Sequence, residues 1–179
     1  MSLAFARRVI LVSGAPGAGK TTVAQPLAEA LGFALLSKDQ IKEALFDALE
    51  GRADDLAESR KFSDAAMEVM WALATQCPQV VLEANFRPHS AHERERIESL
   101  RGQIIEVYCC CPPEELARRF ADRAVSPIHH PAHALKSLSP ELLSEYDGPV
   151  GIGTVISIDT TRPVSTEDLV RRIQEAWSD

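Results

Sequence analysis

Lys20 and Thr21 close a run of eight residues, Gly14, Ala15, Pro16, Gly17, Ala18, Gly19, Lys20 and Thr21, that fills every position of the pattern G-x-x-x-x-G-K-[ST]. The chemistry open to such a run is phosphate binding. Backbone N–H groups of a glycine-rich turn converge on an anion, a lysine ammonium adds a point charge at the β- and γ-phosphates, and the last hydroxyl can reach Mg2+. Thr22 follows directly and belongs to the same nucleotide-binding stretch. Asp39, after Ser37 and Lys38, is a carboxylate able to orient and deprotonate an alcohol, or else to cap the helix that begins there. Lys42 lies one helical turn further on. Glu83 offers a second carboxylate, for a metal or for a buried or capping role. Asn85 and Arg87 follow it and can touch substrate or phosphate, or serve as a turn residue and a solvated cation. Arg119 and Arg123 are spaced i, i+4 and share a helix face. They can neutralise a triphosphate or form a solvated face with Glu115, and Arg118 can stand in for Arg119.

Each of these groups falls at or just beyond the end of an apolar run, which points to a common scaffold. The runs cover 7–13, 33–36, 79–83, 103–110 and 153–158, and amphipathic helices alternate with them. Uninterrupted apolar strands between helices predict an α/β fold with a parallel sheet covered on both faces. Ligands of such sheets bind beyond the carboxyl ends of the strands. A helix over 22–31 follows the glycine-rich turn, with Pro26 inside it deleting one backbone hydrogen bond. The helix over 59–77 carries Phe62, Ala66, Val69 and Leu73 at helical spacing as its core face, while Met67, Met70 and Trp71 either pack there or line a pocket. The last helix starts at Ser165 or Thr166, with Glu167 and Asp168 favoured in its first turn. Val164, Leu169, Val170, Ile173 and Trp177 supply its apolar face. The stretch 125–153, rich in Pro, Gly and His, has one short helical candidate at 140–146 and reads as a lid or pocket rim.

Composition sets the outer bounds. The chain has 179 residues, 45% hydrophobic and 25% charged, which suits one well-buried soluble domain. A net charge of −7 argues against a nucleic-acid surface built on bulk basicity. No apolar run approaches the roughly 20 residues of a membrane span, and the amino-terminal pattern is not that of a signal peptide. Met1, Ser2 and Leu3 fit an added leader. Cytoplasmic placement is expected, and the cysteines agree with it. Cys109, Cys110 and Cys111 are consecutive, so on a strand they alternate between faces and make neither a zinc knuckle nor a local disulfide. Cys77 is isolated. His129, His130 and His133 suggest metal, substrate contact or mere surface imidazoles, with zinc the weakest of the three. His89 and His92 read as solvent-facing.

With these residues in place, the chain resembles the P-loop kinase superfamily, and within it the group that includes polynucleotide 5′-kinase domains, chloramphenicol phosphotransferase and zeta toxins. The resemblance implies a three-layer fold with strand order 2-3-1-4-5, a lid after the fourth strand, and ATP with Mg2+. It implies that Asp39 accepts the proton of the attacking hydroxyl. It places Lys42 where relatives often carry an Arg for an anionic group, and Glu83 where they usually have an Asp that holds Mg2+ through water. Thr21 would be the other metal contact. Arg119 and Arg123 match the lid pair R-x-x-x-R, and residues 160–163 match the loop flanking adenine. One domain over 4–179 is expected, with its lid and substrate rim at about 114–150. The implied activity is an ATP-dependent kinase acting on a hydroxyl of a small acceptor. A P-loop NTPase or a nucleotide-binding regulator without an acceptor are the alternatives. A GTPase would need N-K-x-D, which is absent, and the VVLEA segment departs from the Walker B pattern of oligomeric ATPases.

Overall fold

The apolar runs pair into one sheet because no face of any central strand can be left to water. The computed structural model describes residues 7–53, 55–126 and 129–178, so the expected leader at residues 1–3 lies outside them. Along the chain come β1 (Arg8–Ser13), α1 (Lys20–Leu31), β2 (Ala34–Ser37), α2 (Lys38–Ala48), α3 (Leu56–Ala74), β3 (Gln79–Glu83), α4 (Ala91–Ser99), β4 (Gln103–Cys110), α5 (Pro113–Ala124), α6 (Pro140–Ser144), β5 (Thr154–Asp159) and α7 (Thr166–Ala176). The strand order is β2-β3-β1-β4-β5 and every neighbouring pair is parallel, as expected. β2 is one residue later than predicted, because Phe33 leaves the sheet and stacks on Trp177 at 5.8 Å between ring centres.

Alternation along the strands divides the core in two. Ile10, Val12, Val81, Ile105 and Val107 face α1 and α7, where Leu27, Leu169 and Ile173 meet them. Val9, Leu11, Val80 and Leu82 face α3 and α4, against Met70, Trp71 and Ile97. The predicted core face of α3 needs correction. Phe62 and Ala66 are buried, but Val69 is 36% and Leu73 45% exposed. The buried row instead continues by steps of four through Met70 and Ala74, so Met70 and Trp71 are core residues. α3 also begins three residues early, because Asp55 caps it by accepting the Glu58 N–H at 3.0 Å. α7 starts as read, with Ser165 accepting the Asp168 N–H at 3.2 Å, and α1 runs on through Pro26.

One buried carboxylate ties the segment before β5 to the central strands. Glu106 in β4 is wholly buried and accepts from Ser13 Oγ at 2.5 Å, Val150 N at 2.9 Å and Gly151 N at 2.8 Å. A buried charge is tolerated when its lone pairs are filled in this way. Glu106→Ala would strand two buried donors, Ser13 Oγ and Val150 N, and we expect a loss of about 3 kcal/mol, read as a lower urea midpoint with an unchanged slope.

Candidate active site

The glycine-rich turn between β1 and α1 is held in a shape that only glycine adopts cheaply. Gly14, Gly17 and Gly19 have φ of 135°, 85° and 78°, and a Cβ on Gly14 would stand 2.3 Å from the Cys109 carbonyl oxygen. Lys20 opens α1 and is buried, its Nζ donating to the Ala15 carbonyl at 2.9 Å. Burial pushes the Lys20 ammonium below its ordinary range, against the opposing charges of Glu83 and Asp39. Three devices suited to phosphate therefore share one turn: loop amides, a desolvated ammonium and the amino end of α1.

Parallel pairing brings the carboxylates to the same edge. Ser37 of β2 and Val12 of β1 both stand in register with Glu83 of β3. Glu83 is 3% exposed and bridges the two neighbours: Thr21 Oγ1 donates to its Oε1 at 3.3 Å and Ser37 Oγ to its Oε2 at 2.5 Å. A hydroxyl and a carboxylate side by side form a hard-oxygen donor set, which fits Mg2+. Asp39 lies in the first turn of α2 but does not cap it, since the N-cap is Ser37 and no side chain serves it. Its Oδ1 pairs with Lys38 Nζ at 3.1 Å. Burial would raise this carboxyl, but the charges of Lys38, His133 and Lys20 outweigh it and hold Asp39 well below the usual carboxylate range. Sequence reasoning gave Lys38 no role; its adjacency to Asp39 was the available signal.

Lys42 is not at the strand edge. It is 4% exposed and donates to Ser59 Oγ at 2.8 Å, and Ser59 Oγ donates in turn to the Ala132 carbonyl at 2.7 Å. It thus braces α2 against α3, and burial brings its ammonium down to about 8 from the ordinary 10.5. The unfolded chain then binds the extra proton between these values, so this group makes stability rise with pH from about 8 toward 10.5. Lys42→Met should flatten that rise, as followed by thermal unfolding across the window.

The remaining candidates divide between open and committed. Asn85, half-buried past the end of β3, makes no side-chain hydrogen bond among the described residues. Arg87 is anchored by buried Glu93 through its backbone N and its Nε, both at 2.7 Å, and that hydrogen bond raises its pKa. Its two terminal nitrogens have no such partner. On α5, Arg119 reaches across to the loop after β5, with Nη2 donating to the Thr160 carbonyl at 2.9 Å and Nε to Glu115 at 2.6 Å. Its Nη1 would lie 3.6 Å from a Cβ placed on Gly19, so it borders the phosphate loop. Arg118 is held outward by Glu115 and Asp122. Arg123 is exposed and unpaired among the described residues, so the two arginines of the R-x-x-x-R pair differ, one docked and one free.

Other motifs find plainer settings. Cys109 is buried, and burial carries its thiol up to about 12. Cys110 and Cys111 line a hollow of about 350 Å3 with Ala15, Leu116, Leu143 and Tyr146. His89 and His92 are exposed beside Asp147 and Glu68. Among the described residues no three His, Cys, Asp or Glu side chains gather as a metal site, and no helix is long and apolar enough to cross a membrane.

A family model described as an AAA domain, AAA_33, matches residues 9–140, from β1 to the start of α6. The chain belongs to this AAA domain family. No curated protein matches this AAA domain protein, but solved structures do. A "putative kinase" from Chloroflexus aurantiacus superposes with a TM-score of 0.82 at 26% identity, over 96% of this chain and 99% of the other. Shikimate kinase from Acinetobacter baumannii, solved with shikimate, gives 0.58 at 22% identity over 97% and 94%. APS kinase from Mycobacterium tuberculosis, solved with AMPPNP and APS, gives 0.61 at 15% identity over 96% and 99%. The AAA domain here has the fold of the P-loop kinases.

Proposed function

We propose that this protein is an ATP-dependent kinase that transfers the γ-phosphoryl group of ATP to a hydroxyl of a small-molecule acceptor. The observation that carries the reading is the meeting of Lys20, the Thr21–Glu83 pair and Asp39 at one sheet edge. The likeness to solved structures of kinases supports it. In this reading the loop amides of residues 14–19, with Lys20, Thr21 and Thr22, bind the triphosphate. Thr21 and Glu83 would hold Mg2+, which supplies charge neutralisation at the phosphate oxygens when bound. The acceptor oxygen forms a bond to the γ-phosphorus as the bridging bond to the β-phosphate breaks and ADP leaves. The acceptor proton passes to Asp39. Arg119 and Arg123 spread positive charge over the transferring group, and residues 114–150 close over it as a lid, excluding water. Asn85 and Arg87 face the acceptor, and residues 4–179 act as one domain. Lys42 serves the acceptor site only through its brace to Ser59.

The test follows label from γ-labelled ATP with Mg2+ into a fractionated pool of cellular metabolites. Label in an organic product, absent with Lys20→Ala, supports the kinase and supplies its acceptor. Label released only as inorganic phosphate, at a substantial Lys20-dependent rate, sinks it in favour of an NTPase.

A further inference from the structure

The histidine motif after α5 is built onto α2, the helix that carries Asp39. Asp39, Glu43 and Asp47 recur every fourth residue along α2 and form one acidic stripe that begins at the proposed base. The segment 129–133 lies along that stripe. His133 Nε2 bonds Glu43 Oε1 at 2.8 Å, and His130 Nε2 meets Asp47 Oδ1 at 3.2 Å. His130 Nδ1 accepts the Ala132 N–H at 3.1 Å, so the proton of this imidazole is on Nε2, facing Asp47. Between the two histidines, Ala132 is fully buried against Phe46 and Phe62, and its carbonyl takes the Ser59 hydroxyl. The His130 ring packs edge-on to Phe46 with centres 5.7 Å apart. His129 Nε2 lies 2.9 Å from the His133 carbonyl. A small core, two imidazole–carboxylate pairs and the Lys42–Ser59 chain thus fix this segment on α2.

We propose that His133 is a positioning residue of the transfer reaction: carried by the 129–133 strap and seated on Glu43, which stands one helical turn from Asp39 on α2, it steadies that carboxylate toward the acceptor. This rests on the kinase reading for the role of Asp39, but the juxtaposition itself does not. The charged groups that act on the pair are Lys20 on α1 and Lys38, Lys42 and Glu43 on α2. The charge of His133 is one of those that hold Asp39 down, and that of Asp39 in turn raises His133 against its burial.

Carboxyl-13C and imidazole NMR titrations of the full chain test the coupling with no acceptor present. In His133→Gln the Asp39 midpoint should move up by about one unit. In Asp39→Asn the His133 midpoint should move down, because coupling between two sites is reciprocal. The second variant leaves the strap sequence intact, so the test survives a folding defect in the first. Unmoved midpoints in folded protein overturn the proposal. With γ-labelled ATP and the fractionated pool, His133→Gln should lower transfer about tenfold at unchanged ATP affinity. Equal loss of ATP affinity would also overturn it, assigning the strap to general stability. Failure to find any Lys20-dependent transfer would instead sink the kinase reading and leave the titration result standing.

Discussion

Lys20→Ala should lower phosphoryl transfer by about a thousandfold or more, the scale of removing a preorganised charge from a transition state. The reason lies in where the ammonium is kept. Lys20 is held in a nearly dry position by the Ala15 carbonyl, so its charge acts on phosphate without first shedding water. Truncation should weaken ATP binding as well, because the same charge faces the ground-state β- and γ-phosphates. Initial rates with γ-labelled ATP, alongside ATP titration calorimetry, measure both losses. A variant that keeps its turnover would remove the phosphate-loop assignment altogether.

Asp39→Asn should suppress transfer by roughly a hundredfold to ten-thousandfold, the range of a general base, with ATP affinity nearly unchanged. Helix capping does not confuse this experiment, since Asp39 caps nothing. The amide also keeps the shape that faces Lys38. Because Lys38, His133 and Lys20 hold the carboxyl far down, Asp39 is ionised at every pH where the protein would be assayed. Transfer by the wild type should then show no acidic limb from Asp39 near neutrality. If affinity fell in the variant while transfer per bound ATP did not, Asp39 would be a nucleotide-site residue and the base would lie elsewhere.

The parts of the molecule that were legible in the sequence are those whose causes are local. β3 and β4 are bounded by changes from apolar to polar residues, and their limits were read as they stand. The eight-residue phosphate loop is a backbone device spelled by adjacent glycines. The face of α3 misled because this helix is apolar around much of its circumference, so Val69 and Leu73 fit a helical stripe as well as Met70 and Ala74 do. Only packing against β3 and α2 selects between them. Glu106 gave no signal, since a carboxylate inside a strand does not announce partners 44 and 93 residues away. The same holds for His133, whose seat on Glu43 spans 90 residues. Lys42 was placed by the resemblance where relatives often carry an Arg for an anionic group, yet here it is buried and the hydroxyl of Ser59 supplies what its ammonium needs.

The central place of β1 governs when this protein can bind anything. The strand carrying the phosphate loop pairs with β3 on one side and β4 on the other, and the Ser13–Glu106 bond that locks its end closes a contact between residues 93 apart. Contacts of such range form slowly, because a large loop must be closed before they repay its entropy. During synthesis the whole motif emerges before either neighbour of its strand, β3 and then β4, has followed. A nascent chain cut before Gln103 would contain every residue of the phosphate loop and β3, but not β4, whose Cys109 carbonyl packs against Gly14. Completion of the phosphate loop therefore waits for β4, well after the loop's own residues have been made.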